Sequence, residues 1–288
     1  MIGVFDSGYG GLTILHAFRD RLPRQAFVYL GDHANAPYGC RPSEEVIALT
    51  QRNVEALFQR GCRLVVLACN TAAAVALRHL QQVWLPAAYP EHRILGILVP
   101  MVETVTGVPW ACEGPPADHP GPAAPGSHRP ALIGVFGTRR TVMSNAYAEE
   151  IGKRAPAVRI VQQACPDLAA AIEGHASPAE IDAMIRSYVA SFLEQTGGQA
   201  PDSVILGCTH YQLVAERFAA ALPPGAALYN QPAVVAESLA DYLARHPEFA
   251  ASGQAEASPA LLTTGEAGRV SARAREFLGT AALFAAAG

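Results

Sequence analysis

The sequence predicts an α/β protein made of two similar parallel-sheet α/β sandwich domains, related by a pseudo-twofold repeat, with an active site in the cleft between them. Three observations lead there. Leu64 to Ala68 is an apolar run that ends at Cys69 and is followed by Asn70, Thr71 and the Ala-rich stretch Ala72 to Leu77. Such a run feeding a small-residue helix reads as a buried parallel strand with Cys69 at its turn, the place where open α/β sheets bind ligands. The pattern then recurs in Ser203-Val-Ile-Leu-Gly-Cys-Thr-His-Tyr211, with Cys208 at the strand end and His210 beside it. Finally, Ile2-Gly-Val-Phe5 returns as Ile133-Gly-Val-Phe136, at nearly the spacing that separates the two cysteines.

Taken in order, Met1 to Phe5 reads as a strand and Asp6-Ser-Gly-Tyr-Gly-Gly11 as its turn into a helix bearing Leu12, Leu15, Phe18 and Leu22 on one side. A dinucleotide fingerprint counted from Gly8 fails because position 13 is Thr13. Asp6 suits a helix N-cap and equally a place beside a small polar ligand. Ala26 to Leu30 is the second strand, and the loop Gly31 to Gly39, with Asp32 and Tyr38, is either a plain surface turn or a substrate-gripping lip. A helix begins at Ser43 and ends at Gly61. The Cys69 strand follows with a helix closing before Pro86, then a strand from Arg93 to Leu98. Residues 107–130 hold seven prolines and four glycines without apolar periodicity, which marks an inserted surface loop between the repeats.

In the second unit, Ala131 to Phe136 is a strand with Gly137-Thr138 as its turn and a helix from about Thr141. Ala157 to Gln162 is the next strand, and Cys165-Pro-Asp-Leu-Ala-Ala-Ala-Ile-Glu173 leaves its end. Ser177-Pro-Ala-Glu180 is a capping box with proline at the first helical position. The Cys208 strand leads to a helix from about His210 to Leu222. A strand over Ala226 to Tyr229, a helix over Pro232 to Arg245, a strand over Ala260 to Thr264 and a helix from about Arg269 to Leu278 complete the alternation of a parallel α/β fold.

Composition narrows the function. Of 288 residues, 50% are hydrophobic and 16% charged, with a net charge of −4, which suits a folded chain with a sizeable core and argues against a nucleic-acid footprint. No apolar stretch is long enough to span a bilayer, so no membrane partner is expected. Asp6 comes too early for a basic and apolar leader, so a cytoplasmic protein is expected. The six cysteines form neither a CxxC pair nor a Cys/His zinc spacing, so no metal is expected and free thiols are the default reading. The single lysine, Lys153, lies in a charged helix end and is poorly suited to the Schiff base that pyridoxal phosphate chemistry requires. No cofactor is expected.

Two cysteines at equivalent ends of facing domains would bracket one ligand from opposite sides. Racemisation without a cofactor needs that arrangement: one base removes a proton from a carbon, and a protonated group on the opposite face returns one. A thiol, with a reference pKa of about 8.5, can serve as either near neutral pH. The positive end of the following helix is expected to favour thiolate at Cys69. Candidate helpers are Asp6 for Cys69, and His210 and Glu173 for Cys208. A cysteine phosphatase loop would need arginine where Val75 and Val214 stand. A cysteine hydrolase could use Cys208 with His210 but leaves the Cys69 unit unexplained, and two merely buried thiols are the structural alternative.

On these residues the chain resembles the aspartate/glutamate racemase family, glutamate racemases in particular. The motifs are Asp6-Ser-Gly-Tyr-Gly-Gly11, Gly31-Asp32 through Pro37-Tyr-Gly39, Cys69-Asn-Thr71, Gly207-Cys-Thr-His-Tyr211 and Thr263-Thr-Gly-Glu266, in order along nearly the whole chain. The resemblance implies a cofactor-independent isomerase that interconverts L- and D-glutamate for peptidoglycan synthesis, and so for cell-wall biogenesis and cell shape. It implies Cys69 and Cys208 as the acid/base thiols, and Asp6, Ser7, Tyr38, Gly39, Asn70, Thr71, Thr209 and His210 around the substrate, with further carboxylates at Asp32 and Glu173. A homodimer with small-molecule substrate as its ligand is implied too. The family fold returns the C-terminal segment to the first domain, giving residues 1–98 plus 231–288 and residues 99–230. The chain departs from the family pattern at Pro100-Met-Val-Glu103, at Asn230 and in its longer insert. Aspartate racemisation, or amino-acid binding without turnover, are the alternatives.

Overall fold

A computed structural model describes residues 1–109, 131–174, 176–251, 258–278 and 282–287. Beyond residue 109, the Pro/Gly-rich insert expected at 107–130 lies outside the described residues. The chain opens with β1 (Ile2–Asp6), α1 (Leu12–Arg21), β2 (Phe27–Gly31), α2 (Ser43–Gln59), β3 (Leu64–Leu67) and α3 (Asn70–His79). It continues through α4 (Leu85–Ala88), β4 (Arg93–Gly96) and α5 (Leu98–Thr106). The second run is β5 (Leu132–Gly137), α6 (Arg139–Met143), α7 (Ala146–Arg154), β6 (Arg159–Ala164), α8 (Leu168–Glu173), α9 (Pro178–Thr196), β7 (Ser203–Gly207), α10 (Ala215–Ala221) and β8 (Ala227–Leu228). Last come α11 (Gln231–Arg245), β9 (Ala260–Thr263), α12 (Ala267–Leu278) and β10 (Phe284–Ala286).

The strands form two wholly parallel sheets. One runs β10-β9-β2-β1-β3-β4 and the other β6-β5-β7-β8. Within the larger sheet the order β2-β1-β3-β4 is the order β6-β5-β7-β8 over again, so the sequence repeat is a structural one. β1 corresponds to β5, and the cysteine-bearing strands β3 and β7 correspond to each other. Parallel strands with helices on their faces are buried throughout, and β1, β2, β3, β5 and β7 are buried along their whole length. Helix α11 packs on α1 and α5 of the first sheet's layer, so the chain returns there after β8. Among the described residues no helix is long and apolar enough to cross a membrane.

Local signals shaped most elements as expected. The capping box at Ser177 forms in both directions: Glu180 donates its N–H to the Ser177 hydroxyl and accepts the Ser177 N–H. Gly61, at φ +86°, ends the turn after α2 in the left-handed region that glycine tolerates. Several elements differ from expectation, among them the helix expected from about Thr141, which is two, α6 and α7. The helix after Cys69 does not close before Pro86. A π turn over Leu80–Trp84 passes it into α4, where Pro86 occupies the first turn and its missing N–H costs little. β4 stops at Gly96, and α5 starts at Leu98. After Cys208 a 3₁₀ helix over Thr209–Val214 precedes α10, and this tighter winding keeps Thr209, His210 and Tyr211 buried at the strand end. β10, absent from the sequence reading, adds an edge strand beside β9.

Candidate active site

Cys69 and Cys208 leave equivalent strands and line one cleft between the two sheets, together with Ser7, Tyr38, Gly39, Asn70, Thr71, Thr209, His210 and Glu173. Cys69 N-caps α3, its sulfur accepting the Ala72 N–H at 3.5 Å, and lies 3.4 Å from the Ser7 hydroxyl. On the other side the Cys208 sulfur lies 3.8 Å from His210 Nδ1. Both thiols are free and buried.

Asp6 sits behind Cys69, outside the cleft lining. One oxygen accepts N–H groups of Gly8 at 3.1 Å and Gly11 at 3.0 Å, within the turn rather than at the first residues of α1. Its other oxygen, Oδ2, is buried with no hydrogen-bond partner among the described residues. Burial raises the Asp6 pKa, opposed by the charge of His210 and the two turn amides. The thiolate expected at Cys69 is not the resting form. Burial, reinforced by the negative charge of Asp6, pushes this thiol up to about 12, against the Ser7 and Ala72 hydrogen bonds. Desolvation thus outweighs the helix terminus, and Cys69 rests as a thiol beside a carboxylate of raised basicity.

Cys208 has different company. Glu173 at the end of α8 brings Oε1 to 3.7 Å from His210 Nε2. Burial opposes charge on both groups, but the pair overcomes it. Hydrogen bonds and charges from Cys208 and Glu173 hold the His210 pKa well above its ordinary value, while His210, His33 and the Tyr9 amide hold Glu173 below its own. The charged form of the ring is therefore favoured where it lies between the Glu173 carboxylate and the Cys208 sulfur.

Asp32 does not line the cleft. It is fully buried and accepts from Tyr38 at 2.6 Å, Thr264 at 2.6 Å, Asn35 at 2.8 Å and Asn53 at 3.0 Å. These donors tie the Tyr38 loop to α2 and to the end of β9. Tyr38 and Gly39 of this loop line the cleft.

Thr138 lines the cleft as well and was not singled out from the sequence. Its hydroxyl lies 3.0 Å from that of Thr71 and 3.0 Å from that of Thr141, which is itself 3.2 Å from Thr71. This hydroxyl cluster joins α3 to the turn after β5. A signal for it existed: aligning Ile2 with Ile133 places Thr138 opposite Ser7, the hydroxyl beside Cys69. Gly10 matters for a related reason, because a Cβ there would meet Thr209 Oγ1 at 2.3 Å and His210 Nδ1 at 2.7 Å.

No protein-family model matches the chain. Its sequence is 48% identical over 284 residues to a glutamate racemase of Phenylobacterium zucineum, covering 96% of each chain. It is 45% identical over 290 residues to one of Caulobacter sp., covering 99% of each. The crystal structure of the glutamate racemase isoform RacE1 from Bacillus anthracis superposes with a TM-score of 0.82 at 27% identity, over 99% of this chain and 96% of that one. The repeated fold, the facing thiols and this likeness along nearly the whole length lead to one statement: the chain belongs to the glutamate racemase family of isomerases.

Proposed function

We propose that this protein interconverts L- and D-glutamate without a cofactor, using Cys69 and Cys208 as opposed acid/base thiols, and supplies D-glutamate for peptidoglycan in the cytoplasm. The observation that carries this reading is the pair of buried thiols at equivalent strand ends of a repeated unit, facing one cleft. The ionised form of one thiol takes the α-proton, the electron pair is held at the α-carbon and its carboxylate, and the opposite thiol delivers a proton to the other face. Each thiol needs a group that manages its own proton. Asp6, with a raised pKa and an unpartnered oxygen, receives it from Cys69; the His210–Glu173 pair serves Cys208. Ser7, Asn70, Thr71 and Thr209, at the starts of the segments that follow β1, β3 and β7, supply donors for carboxylates and for charge that develops on the substrate.

The chain's single lysine, Lys153, pairs with Glu150 on the exposed side of α7, which fits chemistry carried by thiols alone. The same reading divides the chain into residues 1–98 plus 231–288 and residues 99–230, with the cleft at their junction, and takes the molecule as a homodimer, a state that light scattering measures directly. The decisive experiment incubates the protein with L-glutamate in D₂O, following optical rotation and the α-proton signal, with Cys69→Ser and Cys208→Ser alongside. Racemisation with deuterium uptake, lost in both variants, is the expected result. Exchange of aspartate but not glutamate would retain the mechanism and change the substrate. Folded protein that exchanges neither would sink the proposal and favour amino-acid binding.

A further inference from the structure

Asn70 follows Cys69 directly and faces the cleft, yet two residues that do not line it control its amide. Asn70 Nδ2 donates to Gln231 Oε1 at 2.9 Å, and Gln231 Nε2 donates back to Asn70 Oδ1 at 3.1 Å. The two amides thus form a closed pair of hydrogen bonds. The Tyr147 hydroxyl donates to the same Asn70 oxygen at 2.7 Å. Gln231 and Tyr147 are fully buried, and burial raises the phenol's pKa, so the hydroxyl keeps its proton to give.

The three residues come from separate parts of the fold: Asn70 from the start of α3, Tyr147 from α7, and Gln231 from the first residue of α11, where the chain returns to the larger sheet's layer. The Gln231 N–H also reaches Gln212 Oε1 at 3.4 Å, in the 3₁₀ turn that follows Cys208. A primary amide has two N–H donors and one carbonyl oxygen with two acceptor sites. In Asn70 both acceptor sites are taken by Tyr147 and Gln231, and one N–H by Gln231. What remains to the amide on the cleft side is an N–H.

We infer that Gln231 and Tyr147 are positioning residues that hold the Asn70 amide with its N–H toward the cleft, so that it serves as a donor to a carboxylate of the bound amino acid. A freely rotating amide would offer its carbonyl oxygen as readily, and that oxygen would repel a carboxylate. The inference rests on the racemase reading for the identity of the ligand, while the amide geometry stands without it.

The test measures the dissociation constant for D-glutamate by calorimetry, and KM and kcat for racemisation, in the wild type, Gln231→Met and Tyr147→Phe. Methionine keeps the volume of glutamine and removes its hydrogen bonds; phenylalanine removes a single hydroxyl. A donor lost from ground and transition states alike raises KM and the dissociation constant, on the order of tenfold, with kcat within about twofold. In an Asn70→Ala background the same substitutions change affinity by less than about twofold, because they act through Asn70. Unchanged affinity in the folded variants, a fall in kcat or melting temperature alone, or an equal loss of affinity in the Asn70→Ala background would each overturn the inference. A wild type that binds glutamate without racemising it would sink the racemase reading and leave the affinity comparison decisive.

Discussion

The Cys208 sulfur lies 3.8 Å from His210 Nδ1, and the far nitrogen of that ring meets Glu173 at 3.7 Å. Cys69, at the equivalent strand end, has Ser7 and the carboxylate Asp6 instead. Two copies of one strand–cysteine unit thus present their thiols in unlike electrostatic settings, a cation beside one and an anion beside the other.

Glu173→Gln tests the cationic side. Burial opposes a charge on His210, and Cys208 and Glu173 together overcome it. Removing the Glu173 charge lowers the His210 pKa, so the imidazolium is lost at a lower pH. The basic limb of the kcat/KM profile is expected to move toward acid, with a loss on the order of 10- to 100-fold at pH 8. A limb that does not move would remove His210 from the proton path. Stability follows with a defined sign. The lowered Glu173 pKa contributes above about 4.3 and is lost as pH falls through its folded value; the raised His210 pKa contributes below about 6.5 and is lost as pH rises through its folded value. The wild type's advantage in melting temperature over Glu173→Gln should therefore be fully present between those limits and fade on either side.

Asp6→Asn tests the anionic side. A carboxylate whose folded pKa is raised by burial stabilises the fold only while protonated. Its contribution is complete below about 3.9 and is lost as pH rises through the folded value. Ionising Asp6 therefore costs stability. Asparagine keeps an acceptor for the Gly8 and Gly11 amides and removes the charge from the unpartnered oxygen. The melting temperature should rise by about 2–4 °C at pH 7, while racemisation falls on the order of 100-fold. A lower melting temperature would show that the charge is compensated, and unchanged turnover that Cys69 does not depend on it.

Gly10→Ala tests the contact between the two halves of the cleft. The added methyl would stand 2.3 Å from Thr209 Oγ1 and 2.7 Å from His210 Nδ1, so the turn after β1 and the turn after Cys208 must separate. A displacement of that size at reacting groups is expected to lower kcat/KM at least about tenfold, with about 1–3 kcal/mol of stability lost to overpacking. Circular dichroism and denaturant melts verify that the variant folds, and wild-type kinetics in a folded Gly10→Ala would refute the contact.

What the sequence determined by itself is whatever short-range pattern encodes: the parallel strands, the two strand-end cysteines, the helices with caps and apolar faces, and the repeat that pairs β1 with β5 and β3 with β7. Strand and helix periodicities act over a few residues, so a single chain displays them openly. Residues that follow a strand end inherit a place near the cleft, which is why Ser7, Asn70, Thr71, Thr209 and His210 were legible, and Thr138 could have been read through the repeat. Tertiary structure alone decided which groups touch across the fold. Asp32 is spent on four internal donors; Gly10 leaves room for a histidine from the other unit; Glu173 finds His210 from a separate helix; and Gln231 meets Asn70 across 161 residues of chain. Protonation belongs with these. The helix terminus at Cys69 favours thiolate, but burial and the Asp6 charge prevail, because desolvation and Coulomb energy depend on everything packed around a group and not on its neighbours in sequence.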